Sequence, residues 1–196
     1  MSILWWEKTV EYFFVQKYVN LDMFIAPLDG NQEKGGDAIF SNESKWVLIE
    51  FKRDQDSIDS EIKKFSDYQL AKKTLEAFGS HHLIIYGQSN DDKFSLSCQE
   101  YFSGLKVSLE EALLSGVQKD TFLAYLNKLV DLKKQSKSGS GGYSFVAGVS
   151  STGKVTKCMK LSEFASALTL ERELKQKLQK KLEQSQEQTF DSPGMG

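Results

Sequence analysis

The sequence predicts a mixed α/β fold, and three observations predict it. Apolar residues recur at three- and four-residue steps in Leu4–Val19 and Ser57–Phe78, the period of a helix packed along one side. Short apolar runs bounded by turn residues, Trp46–Lys52 and His81–Gly87 among them, read as strands. The second helix, about twenty residues long, stands between two of those strands, which is the connection a parallel pair requires.

The elements follow in order. In the first helix Ile3, Trp6, Val10, Phe13 and Phe14 gather on one face at about 100° per residue. Trp5 falls about 140° from Val10 on the same wheel, pointing toward another domain or subunit. Met23–Leu28 is apolar and closed by Pro27 and Asp29-Gly30, as a strand is. Asp37–Phe40 and Trp46–Lys52 form a hairpin around Ser41-Asn42-Glu43-Ser44. The second helix repeats Ile58, Ile62, Phe65, Tyr68, Leu75 and Phe78 and ends at Gly79. His81–Gly87 completes the order helix, three strands, helix, strand (αβββαβ) over residues 4–87.

Phe94–Phe102 alternates as a strand, and Ser108–Ser115, opening on Ser-x-x-Glu, and Asp120–Lys134 read as helices. Residues 1–135 thus form one expected domain, with 94–135 as its helical extension. Ser136–Gly142 has linker composition. Residues 143–196 carry a second hairpin, Tyr143–Val149 with Lys154–Met159, and a long helix, Leu161–Gln188, with Leu168, Leu174, Leu178 and Leu182 near one stripe.

Composition narrows the class. The chain has 196 residues, 40 % hydrophobic and 27 % charged, which excludes wholesale disorder. No apolar run approaches the roughly 18–20 residues that span a bilayer, and Met1–Glu7 lacks the basic start of a signal peptide. Cys98 and Cys158 make neither a disulfide framework nor a zinc motif, so a reducing cytoplasmic setting is expected. The net charge of −2 argues against a protein that coats nucleic acid nonspecifically. Charge is uneven: residues 1–90 hold 10 Lys and Arg against 14 Asp and Glu, while residues 136–196 hold 9 against 6. An acidic first half and a basic tail suit a metal site in one and a polyanion contact in the other.

The chemistry concentrates in two strands. Glu50 and Lys52 point the same way from the end of theirs, because side chains alternate along a strand. Hairpin pairing brings Asp37 beside Glu50. Two carboxylates and the Phe51 carbonyl then offer hard oxygen ligands for Mg²⁺ or Mn²⁺, with Lys52 placed to orient a metal-bound water.

This pattern resembles the PD-(D/E)xK nuclease superfamily, the restriction-endonuclease-like fold. Asp37 matches its metal-binding Asp, Glu50-Phe51-Lys52 its E-x-K triplet, and the αβββαβ order its core, over somewhat less than half the chain; Gly36 replaces the family's Pro. The resemblance implies a metal-dependent nuclease acting on DNA, in restriction, repair or antiphage defence, with Asp37, Glu50, Lys52 and a first-helix acid in the site. Glu7 lies nearer the apolar face of that helix than Glu11, about 60° against about 100° from Val10, and is the expected acid. The Gln-x-x-x-Tyr motif of the RecB-like branch is missing: Lys73 stands four residues after Gln69.

Lys63, Lys64, Lys72 and Lys73 on the second helix, and Lys175 on the last, are candidate phosphate contacts. The alternative is a catalytically inactive nuclease-fold subunit that docks to a partner protein or a second copy through its C-terminal helix. Gly148–Lys154 resembles a P-loop, but Val155 stands where a Ser or Thr belongs, so a hairpin turn is expected. His81 and His82 face opposite ways on a strand and are expected to pack or hydrogen bond rather than share a metal.

Overall fold

The computed structural model describes residues 4–19, 45–90, 93–134 and 144–169, and beyond them positions 172, 173, 176 and 179, which are helical. The expected strands Met23–Leu28 and Asp37–Phe40, the 136–142 run and most of the last helix lie outside these residues. The fold is mixed α/β, built on one six-stranded sheet.

The first helix, α1, spans Glu7–Tyr18 and is followed by β1, Lys45–Lys52. A 3₁₀ stretch, Gln55–Lys64, and α2, Tyr68–Leu75, lead to β2, His82–Asn90. Then come β3, Lys93–Glu100, the short β4, Lys106–Val107, α3, Leu109–Leu114, and α4, Lys119–Leu132. The hairpin β5, Ser144–Val149, and β6, Val155–Lys160, precedes a helix over 161–169, here α5. The sheet order is β4-β3-β2-β1-β5-β6. Among the described strands only β1 and β2 run parallel, joined by the crossover through α2, and the other neighbours are antiparallel.

Strand alternation splits the core in two. On one face Val47, Ile49 and Phe51 of β1 and Leu83 and Ile85 of β2 meet Val10 and Phe14 of α1 and Leu113 of α3. On the other, Trp46 and Leu48 with Ile84 and Tyr86 meet Leu75 of α2, Phe122 and Leu129 of α4, and Phe164 of α5. A buried aliphatic or aromatic side chain contributes about 1.5–3 kcal/mol relative to exposure, so both layers hold the sheet.

Several expectations are corrected. Asp37–Phe40, the strand expected to form a hairpin with Trp46–Lys52, lies outside the described residues, and the neighbours β1 shows are two others. One edge pairs with β2 over Leu48–Lys52 and the other with β5 over Lys45–Glu50. Periodicity reveals that a strand exists but not which strand lies beside it. For the same reason the 136–142 run does not separate two sheets, because the strands on either side of it share one.

The continuous helix expected at Ser57–Phe78 is broken. Phe65 leaves the helical path to form an antiparallel bridge with Lys133 and bury its ring. Asp67 then starts α2 by accepting a hydrogen bond from the Leu70 amide. Ile62 and Phe78, expected on the buried stripe, are 46 % and 70 % exposed.

In the first helix, Trp6 is 65 % exposed, because it is the extended N-cap residue and the helical wheel does not run through it. Trp5 is the tryptophan that packs inward, with Nε1 donating to the Arg53 carbonyl at 2.6 Å and its ring edge-on to Phe94. The Ser108–Glu111 capping box forms as expected. Of the Gly148–Lys154 stretch, Gly148 and Val149 end β5 and residues 150–154 form the β5–β6 turn, with Gly153 at φ +79°, a conformation that favours glycine.

Candidate active site

Glu50 and Lys52 project from one face of β1 at its C-terminal end, next to the parallel strand β2. Trp46 and Leu48 precede them on the same face and are buried in the core, so the pleat carries the two charges into the protein. Glu50 is 1 % exposed and Lys52 7 %. Ions this deep need partners, since an isolated one would cost several kcal/mol to bury.

The crossover supplies one partner. Glu61, in the 3₁₀ stretch, is buried and places Oε1 at 2.5 Å from the Lys52 ammonium and 2.7 Å from that of Lys64. Its Oε2 accepts a 2.8 Å hydrogen bond from the Tyr101 hydroxyl, which lies just beyond β3. Lys52 also donates to Ser60 Oγ at 3.0 Å.

Glu50 is held from three directions. Ser144 of β5 donates to its Oε1 at 2.5 Å, Lys133 at the end of α4 lies 3.3 Å from the same oxygen, and Lys64 is 3.5 Å from Oε2. The Phe65–Lys133 bridge and the bond from the Lys134 amide to the Lys64 carbonyl, 2.9 Å, bring these two lysines together.

Protonation follows from this packing. Burial alone would raise the Glu61 carboxyl, but the Lys64 charge and the hydrogen bonds from Lys52 and Lys64 outweigh it and hold it below its ordinary value. Burial pulls Lys64 down, and Glu50 and then Glu61 more than restore it, so it stays charged. Glu7 is raised by burial against the attraction of Lys52 and Lys64.

The expected site residues fare differently. Glu50 and Lys52 come together, and Glu7 stands half-buried within electrostatic reach of both. Asp37 and Lys175 lie outside the described residues. The Phe51 side chain belongs to the opposite face, packed on Phe14 and Phe145. Lys63 and Lys73 are exposed, and Lys72 lies 3.6 Å from Glu76 on its own helix. His81 and His82 are buried in aromatic packing. His82 stacks on Tyr101 and shares a 2.8 Å hydrogen bond with Tyr125, while His81 meets the Tyr125 ring edge-on.

Sequence reasoning missed Glu61, Lys133, Tyr101 and Ser144 as site residues. Only Glu61 left a signal, an acidic residue three positions before Lys64. The other three meet Glu50 and Glu61 through tertiary packing that local patterns do not encode.

The carboxylates of Glu50 and Glu61 have the donor chemistry of a hard-cation site. Among the described residues, however, no three of Asp, Glu, His and Cys converge to hold a metal, and lysines neutralise both carboxylates. The described residues fit part of a divalent site, which a further carboxylate would complete. Among them, too, no helix is long and apolar enough to cross a membrane. Set beside protein-family models, curated proteins and solved structures, the chain matches none of them.

Proposed function

We propose that this chain is a metal-dependent nuclease that hydrolyses phosphodiester bonds of DNA in the cytoplasm, in restriction, repair or antiphage defence. One observation carries the reading: Glu50 and Lys52 sit side by side, buried, at the C-terminal end of a central strand whose parallel neighbour follows a helical crossover. That is the position and polarity the E-x-K resemblance calls for. Glu50, with Asp37 and Glu7, would hold Mg²⁺ or Mn²⁺, which when bound supplies an acidified water and charge stabilisation at phosphorus. Lys52, fixed by Glu61 and Ser60, would orient the attacking water and counter the developing negative charge. The free thiols of Cys98 and Cys158 accord with a reducing compartment.

The test is cleavage of supercoiled plasmid, linear duplex and single-stranded DNA with Mg²⁺ or Mn²⁺, run beside Asp37→Ala and Lys52→Ala. Metal-dependent cutting lost in both variants is the expected result. A second reading, a binding or assembly subunit that holds no metal and docks to a partner protein or second copy through its C-terminal helix, is favoured by the neutralisation of Glu50 and Glu61 by lysines. Calorimetry with Mn²⁺ separates them: binding abolished by Asp37→Ala belongs to the nuclease, and absence of binding together with absence of cutting to the subunit.

A further inference from the structure

The geometry points to Lys64 and Lys133 as a phosphate-binding pair at the mouth of this site, where they take the backbone of a nucleic acid strand. The inference rests on the nuclease reading only for the choice of nucleic acid as the phosphate's source. Three ammonium groups, those of Lys52, Lys64 and Lys133, surround two buried carboxylates, Glu50 and Glu61. The five charges sum to one positive, with Glu7 half-buried near them. A surplus cation in a partly dry cluster attracts an anion.

The three lysines are not equivalent. Lys52 is inside, its side chain 9 % exposed and held by Glu61 and Ser60. Lys64 and Lys133 have side chains 23 % and 22 % exposed, and both lie on the Glu50 carboxylate at 3.5 and 3.3 Å. Among the described residues Lys133 makes this one contact, and Lys64 adds a 2.7 Å contact to Glu61, so each ammonium, with three donors, keeps at least one for a ligand. They come from different elements, but the Phe65–Lys133 bridge fixes their spacing, so the pair is built before a ligand arrives. Without substrate the lysines neutralise Glu50. A phosphate drawn to them would take over both cations and leave Glu50 uncovered for a metal. The lysines of α2 lack this arrangement, since Lys72 is engaged with Glu76 and Lys73 is exposed with no ion pair among the described residues.

The experiment is equilibrium binding of a fluorescein-labelled DNA duplex, and of its single strand, to the full chain in EDTA while NaCl is varied upward from about 50 mM. Variants are Lys133→Gln, Lys64→Gln with Lys133→Gln, the same pair changed to Arg, and Lys128→Gln as an exposed control on α4. Circular dichroism melts accompany each variant. Lys133→Gln leaves Lys64 on Glu50, and the Arg pair keeps both charges, so at least these two keep the fold. We expect the double Gln variant to bind at least about tenfold more weakly and its salt slope to fall by about two; Lys133→Gln lowers it by about one. The Arg pair restores binding, and Lys128→Gln matches the wild type.

An unchanged salt slope in folded Lys133→Gln overturns the inference, as does failure of the wild type to bind either probe. The nuclease reading is judged separately, from wild-type cleavage with Mg²⁺. Binding through the pair without cleavage keeps the pair and removes the nuclease, whereas cleavage with unaltered affinity in the variants does the reverse.

Discussion

Lowering the pH from about 7.5 to about 5.5 should weaken this fold through His81 and His82. Both are fully buried, and no described group hydrogen bonds to either ring nitrogen of His81 or to Nε2 of His82. Burial lowers His81 from 6.5 to about 4. It lowers His82 well below 6.5, with Lys133, His81 and Lys64 adding repulsion. The sign follows from the unfolded chain, which takes a proton at each His near pH 6.5 while the folded protein does not. Stability is therefore full above that pH, falls as the pH drops, and stops falling for His81 below about 4.

Between about pH 7.5 and 5.5 each His costs about 1.3 kcal/mol, so the pair costs about 2.7 kcal/mol. With a urea dependence of about 2 kcal/mol per M, the unfolding midpoint should move down by about 1.3 M. Glu61, whose carboxyl is lowered, loses its contribution only at more acidic pH, outside this window. Glu7 is raised and works in the opposite direction, but it cancels between proteins that share it. The comparison is thus urea unfolding of the wild type and His81→Phe at both pH values. Phe suits the site, which already holds Phe122 and Tyr125 against the His81 ring and gives that ring no hydrogen bond to lose. The variant's midpoint should fall by about 0.7 M less than the wild type's. An equal drop in the two proteins, or a wild-type midpoint that does not move, would refute the reasoning.

Two further outcomes are expected. Gly87→Ala should destabilise by about 1–3 kcal/mol in thermal or urea unfolding, because its methyl would strike the Trp5 indole, the Phe94 ring at 2.8 Å and the Arg53 carbonyl at 2.9 Å; a change within about 0.5 kcal/mol would mean that these three groups do not close on Gly87. Glu61→Ala should cost about 3–5 kcal/mol, since it strands the buried Lys52 ammonium and the Tyr101 hydroxyl. Glu61→Gln should cost less because its amide still accepts from Tyr101, and equal losses for the two would count against that bond.

Much of the layering was legible because local chemistry and tertiary role agree. Trp46–Lys52 and His81–Gly87 are apolar runs ended by charge or glycine, and the helix between them requires a parallel pair, which β1 and β2 form. Ser108 and Glu111 announce a helix start and make one. The misreadings arise where a distant partner decides. Phe65 fits a helical stripe, yet its bridge to Lys133 breaks the helix. Ser144 looks like an ordinary residue at the start of a strand just after a linker, yet it pairs opposite Glu50 and bonds to its carboxylate. In the candidate site, strand alternation gives the Glu50–Lys52 pairing. The surrounding cage of Glu61, Lys64, Lys133 and Tyr101 exists only once four separate parts of the chain have come together.

The pairing of β1 with β5 also sets an order of events during synthesis. Lys52 leaves the ribosome about ninety residues before Ser144, an interval of roughly 5–20 s at ordinary translation rates. Throughout it, the edge of the nascent central strand that β5 will cover offers unpaired amides and carbonyls to any other extended chain. The Glu50 carboxylate meanwhile lacks the Ser144 hydroxyl that will cap it. Yield in a cell should therefore depend on how quickly ribosomes traverse that interval and on chaperones that shield an open strand until its late partner emerges.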